Sequence, residues 1–253
     1  MGWEQDRLDH LVADYFGYHA LQIGLPGVPG LRANRMPHRW VMAGSAQEAA
    51  PLVEPLQPMP ADPALSLAPL ADPVALLGEP EALPFADRSL DLVLLPHTLE
   101  FASDPHEALA EVARVLAPEG RVVLTALNRA SLWGLRQATG YAWRGVTRSR
   151  RPLYLPQQGA WLHYRRARDW LRLLGFQIEV GQFGCFGAPM STPRGLSRMA
   201  WMENHGARWW PVLGAAYVLV GVKRVRGMRL VGLTSTGGRR VAAPAMATQR
   251  THE

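Results

Sequence analysis

Cysteine is almost absent: Cys185 is the only one in 253 residues, which rules out an internal disulfide and fits a reducing compartment. Lysine is as scarce, with Lys223 alone among 27 basic side chains. The rest are arginines, whose planar guanidinium favours forked contacts over point charges. A long uncharged apolar run is missing too. The longest, Pro211 to Val222, falls short of the roughly 20 residues that a bilayer requires. The opening MGWEQDRLDHL lacks the basic and apolar blocks of a signal peptide, and Asp6 stands where a myristoylation signal wants Ser or Thr. His97, Glu100 and His106 lack the HExxH spacing of a zinc site, so no metal is assigned. These absences together predict a cytoplasmic protein with no transmembrane segment.

What is present is a globular composition, 48% hydrophobic and 19% charged, long enough to bury a sizeable core. The charge is polarised. Residues 1–120 hold 17 acidic and 6 basic residues, and residues 121–253 hold 4 acidic and 21 basic ones, net charges of −11 and +17. Seven prolines among residues 51–73 exclude a long helix there, so 45–73 reads as a Pro-rich loop. Residues 184–210 read as a Gly-, Met- and Trp-rich insertion and 226–253 as a basic, disordered tail.

Local patterns give the elements between them. Leu8, Leu11, Val12 and Tyr15 recur with helical spacing. His19 to Ile23, Trp40 to Met42, Val74 to Leu77, Asp91 to Leu95 and Arg121 to Leu127 read as strands, most of them apolar on both faces as buried parallel strands are. Between the last two lies a helix with Asp104 as N-cap, Pro105 at its first position, Glu107 completing a capping box, and Leu109, Val112, Ala113 and Leu116 as its buried stripe. Strand, capped helix, strand is a βαβ unit and calls for a parallel sheet covered by helices. Further on, Ala167, Trp170, Leu171 and Leu174 mark a helix, Phe176 to Val180 alternates as a half-exposed strand, and Ala215 to Val222 reads as a buried closing strand.

Gly78-Glu-Pro-Glu-Ala-Leu-Pro-Phe85, Ser89 to Glu100, Asp104-Pro-His-Glu-Ala-Leu109 and Leu116-Ala-Pro-Glu-Gly-Arg-Val-Val-Leu124, in this order, resemble the class I S-adenosylmethionine-dependent methyltransferases, most closely the type 11 methyltransferase-domain group. The resemblance implies one α/β domain over residues 1–225 with a Rossmann-like, seven-stranded, mostly parallel sheet flanked by helices. The cofactor, S-adenosylmethionine, would lie at the carboxyl ends of the first strands, the usual ligand edge of open α/β sheets. It implies cofactor contacts at Gly24, Gly27, Glu79, Pro80 and Pro96, with Glu79 accepting from the adenine amino group and His97 at the reaction centre. The chain departs from the pattern in three places. Pro26 and Val28 stand where glycines are expected, unless Gly27 and Gly30 serve in a shifted register. No Asp or Glu occurs between Asp14 and Glu48 to hold the ribose. Pro80 has no backbone N–H to offer the adenine ring.

For His97 two readings stand: a general base for the acceptor, or a ring packed beside the cofactor without proton transfer. The leading expectation for the chain is methyl transfer to a small or medium acceptor. The alternative is a non-catalytic methyltransferase-like module that binds a protein or nucleic acid through its Arg-rich half. RNA or another acidic partner for that half is a further expectation. Trp201, Trp209 and Trp210 read either as a lid over an apolar acceptor or as ordinary packing.

Overall fold

The computed structural model describes residues 2–44, 74–136, 139, 162–187, 206, 208–210 and 212–224. The Pro-rich loop, most of the Trp-rich insertion, including Trp201, and the basic tail lie outside the described residues. Seven strands are described: β1 His19–Ile23, β2 His38–Ala43, β3 Val74–Leu77, β4 Leu90–Pro96, β5 Leu116–Leu127, β6 Phe176–Gly184 and β7 Ala216–Lys223. They form one sheet in the order β3-β2-β1-β4-β5-β7-β6. The pairs β1–β2, β1–β4, β2–β3 and β4–β5 are parallel. Only β7 runs the other way, between β5 and β6, so the sheet is mostly parallel, as expected.

The alternation of side chains on β4 and β5 sends them to opposite faces, and each face has its own core. On one, Val93, Leu95, Val122 and Leu124 meet Leu109 and Val112 of helix α3 (Pro105–Val115) and Ala167 and Leu171 of helix α4 (Tyr164–Leu173). On the other, Ala20, Leu92, Leu94 and Val123 meet Leu8 and Val12 of helix α1 (Gly2–Ala13). A short turn of helix, α2 (Thr98–Phe101), follows β4 directly. No sequence period announced it, because four residues are too few to show one.

Asp104 caps α3 as expected, accepting from the N–H groups of His106 (2.8 Å) and Glu107 (3.1 Å). The return bond of the expected capping box is made differently. The Asp104 N–H donates to Glu81 (3.0 Å), not to Glu107, because the loop after β3 lies against the start of α3. Strand β5 opens at Leu116, bulges through Glu119 at φ 65°, and resumes pairing with β4 at Arg121.

Candidate functional site

A cleft of about 280 Å³ opens at the carboxyl ends of β1 to β4, lined by Ile23, Gly24, Leu25, Gly44, Glu79 to Glu81, His97, Thr98 and Phe101 to Ser103. It sits where the strand order turns, β1 going on to β2 on one side while β4 flanks it on the other. That is the position at which open α/β sheets take ligands.

Gly24 ends β1 with φ +76°, and a Cβ there would lie 2.9 Å from Thr98 Oγ1. Glycine is therefore required twice over, by the backbone angle and by the approach of α2. Its N–H donates to the Met42 carbonyl (2.8 Å), which draws the ends of β1 and β2 together at the cleft floor. The loop beyond it is held from below. The buried Gln22 amide donates to the carbonyls of Leu25 (3.2 Å) and Val28 (2.7 Å) and accepts from Gly30 N–H (3.0 Å). A Cβ on Gly30 would strike Leu94 Cδ2 at 2.2 Å, so this glycine serves close packing against the sheet. Gly27 is exposed in the turn, away from the cleft lining, with no atom within 4 Å of where a Cβ would be.

Glu79 and Pro80 line the cleft just past β3. The Glu79 side chain is exposed to the cleft and makes no hydrogen bond to the described residues. Glu81, next to it, is committed to Ser103 Oγ (2.9 Å) and Asp104 N–H (3.0 Å). At the end of β2, where a ribose-holding carboxylate would be looked for, the lining residue is Gly44. Glu48 lies outside the described residues. Pro96 is buried as the last residue of β4, paired with Thr125, and the cleft wall begins one residue later at His97.

His97 adopts the left-handed region at φ 53°, ψ 12°. That region costs a non-glycine residue roughly 1–2 kcal/mol and persists where the surroundings fix it. Here both ring nitrogens are fastened. Nδ1–H donates to Glu100 Oε2 (3.2 Å) and Nε2–H to Glu4 Oε2 (3.3 Å), while Glu4 Oε1 lies at 3.0 Å but off the hydrogen-bond direction. Glu100 also accepts from the Leu127 N–H at the end of β5. Burial opposes a charge on the imidazole, yet the hydrogen bonds and attraction of the two carboxylates outweigh it and raise the ring from 6.5 to about 10. Glu4 responds in kind: burial opposes its ionisation, but His97 and the nearby Thr125 hydroxyl hold its carboxyl below the ordinary value. This corner of the cleft thus sets the His97 imidazolium between the carboxylates of Glu4 and Glu100.

The structure brings Gly24, Glu79, Pro80 and His97 to one cleft and leaves Gly27 and Pro96 off its lining. Sequence reading missed Glu4, Glu100, Thr98 and Gln22. Thr98 and Glu100 carried a signal, their place directly after a strand end, and Glu4 carried one too, four residues before Leu8 on the stripe of α1.

The ordered sheet and the cleft define a Rossmann-like methyltransferase fold. Residues 61–124 match the family model described as a methyltransferase domain. Over 106 residues the chain is 37% identical to the uncharacterised protein YafS of Escherichia coli, covering 42% of this chain and 40% of that protein. Over 79 residues it is 38% identical to the malonyl-(acyl-carrier protein) O-methyltransferase of Methylococcus capsulatus, covering 31% of this chain and 27% of that one. The match thus spans less than half the length of these curated relatives. A solved methyltransferase from Thermotoga maritima shares the fold with a TM-score of 0.54 at 18% identity, covering 88% of this chain and 93% of that chain. Over residues 61–124 the chain is thus similar to methyltransferase domains, and its fold is the one that solved S-adenosylmethionine-dependent methyltransferases share. Among the described residues no helix is long and apolar enough to cross a membrane, and no group of three or more His, Cys, Asp or Glu could hold a metal ion.

Proposed function

We propose that the chain transfers a methyl group from S-adenosylmethionine to a small or medium acceptor, in the cytoplasm. The observation that carries this reading is the open cleft at the strand-order turn, with Gly24 on its floor and, on its wall, the Glu79 carboxylate, which none of the described residues engages. The donor set fits the group: carboxylates suit both a sulfonium cation and an adenine amino donor, and the Gly24 turn lets backbone approach a ligand. Gly24, Glu79 and Pro80 would hold the cofactor, with Pro80 giving ring contact and no N–H bond. Bound there, S-adenosylmethionine supplies an electrophilic methyl whose sulfur leaves as a neutral thioether, so no protein acid is needed.

His97 then acts by charge and position. An imidazolium with both N–H groups donating to carboxylates has no lone pair to take a proton from an acceptor. It holds Glu4 and Glu100 in place at the carboxyl ends of β4 and β5, and proximity supplies the acceleration. This selects acceptors that arrive with a free lone pair, such as a carboxylate or an already ionised oxygen.

Calorimetry of the full chain with S-adenosylmethionine and S-adenosylhomocysteine tests the reading. Saturable binding of both below millimolar concentration is expected. No binding of either at millimolar concentration would overturn it and favour the non-catalytic module, the reading that Gly44 at the end of β2 supports.

A further inference from the structure

Ten large hydrophobic residues are exposed among the described ones, and five of them, Leu135, Trp209, Trp210, Val212 and Leu213, belong to two segments, one following the carboxyl end of β5 and one leading into the amino end of the antiparallel β7 beside it. Asn128 at the end of β5 joins the segments, its amide donating to the carbonyls of Val212 (2.7 Å) and Gly214 (2.9 Å). Trp210 N–H donates to the Gly206 carbonyl (2.8 Å) and Leu213 N–H to the Trp210 carbonyl (2.9 Å). Trp133, on the helical stretch 132–136 that carries Leu135, donates its indole N–H to the Gly187 carbonyl (2.8 Å). The apolar side chains therefore stand on a hydrogen-bonded base. Trp209 is 68% exposed, Leu135 62% and Val212 56%. Scattered exposed apolar residues need no explanation, but a gathered set marks a contact surface.

Among the described residues, the charged side chains flanking this set along its two segments are arginines. Arg129 and Arg208 are exposed beside it, and no Asp or Glu occurs anywhere in residues 121–168 or 204–252. Indole rings with arginines are the pairing that settles at a bilayer's headgroup level, the ring partly in the acyl boundary and the guanidinium on lipid phosphate. A nucleic-acid surface would also use arginine and tryptophan, because bases stack on indole. It has no use for the exposed aliphatic Leu135, Val212 and Leu213, which have no ring face to offer. We infer that this face is a peripheral docking surface for a bilayer bearing anionic headgroups. It lies on the same edge of the sheet as the cleft.

Flotation of the full chain with lipid vesicles at low salt decides it. The chain should float with vesicles of phosphatidylcholine and phosphatidylglycerol and stay behind with phosphatidylcholine alone. The double variant Leu135→Ser, Trp209→Ser should float about tenfold less with no change in Tm, since both side chains are mostly exposed. Arg208→Glu, which leaves the apolar set intact, should show the same direction of loss. Flotation by neither vesicle, or double-variant flotation equal to the parent's, overturns the proposal. So does a single-stranded RNA that displaces the chain from vesicles and itself loses affinity in the double variant, which would make the face an RNA surface.

Discussion

Glu79 is the carboxylate on the cleft wall that no described residue engages, and its replacement is the sharpest residue-scale test of the cofactor site. A hydrogen bond to a charged group contributes about 1.5–3 kcal/mol, so Glu79→Ala should weaken S-adenosylmethionine at least about tenfold by calorimetry. Tm should stay unchanged, because an exposed side chain carries no packing. At this scale legibility divided by kind. Gly24 and His97 could be placed from the sequence because each falls directly after an apolar strand, where the topology puts ligands. Glu4 was legible only in part. It lies four residues before Leu8 and so on the same helical stripe as Leu8, Leu11 and Val12, which signals burial but names no partner. That it is bound to a histidine 93 positions away depends on how α1 lies across the sheet, which no local pattern encodes. The same holds for Gln22, a polar residue inside an apolar strand whose partners are loop carbonyls.

Helix α3 shows how an element fixes the cleft rim from outside. Its N-cap, Asp104, receives two helix N–H groups while its own N–H reaches Glu81 on the rim. Near its other end Arg114 donates to the carbonyls of Leu83 (3.0 Å) and Phe85 (3.0 Å) and pairs with Glu111 (2.8 Å) and Asp87 (2.6 Å). The segment 79–87 is strapped to the helix at both ends, although it contains no regular structure of its own. Asp104→Ala should cost about 1 kcal/mol of stability, read as a lower denaturation midpoint. Glu81→Ala, which removes the acceptor of the Asp104 N–H and the Ser103 hydroxyl but leaves the cap intact, should instead raise amide exchange in 79–85. The helix was legible because period, cap and proline agree in one short stretch. Strand positions were legible as well, from apolar runs, but their spatial order was not. The family resemblance implied seven mostly parallel strands, but their order and the reversal of β7 came only with the structure, since nothing in Ala216–Lys223 distinguishes an antiparallel strand from its parallel neighbours.

Across the whole molecule, two glutamates of the acidic first half tie distant parts of the chain together. Glu4 on α1, His97 and Glu100 around α2, and Thr125 and Leu127 on β5 join three elements through one buried cluster. Removing one member of such a buried pair leaves its partner charge uncompensated, at a cost of about 3–5 kcal/mol, so His97→Gln should lower stability on that order near pH 6. The pH course of that difference identifies the cause. The imidazole sits at about 10 in the folded chain against 6.5 when free, so the folded state binds the extra proton. Its contribution is fully present below pH 6.5, declines as pH rises, and is gone above about 10. Glu4, held below its ordinary value, contributes in the opposite sense, its share being lost only on acidification below that value. Tyr217, whose phenol is pushed up chiefly by burial and then by Glu100, stays protonated through this range. Lys223, lowered by burial, drifts the other way at high pH but is common to both proteins and cancels in the comparison. Urea denaturation of parent and His97→Gln from pH 6 to 10 should therefore give two stabilities that converge as pH rises. A gap that stays constant across that range would mean that His97 contributes by shape and not by charge, and that a ring lone pair is free to take a proton from the acceptor.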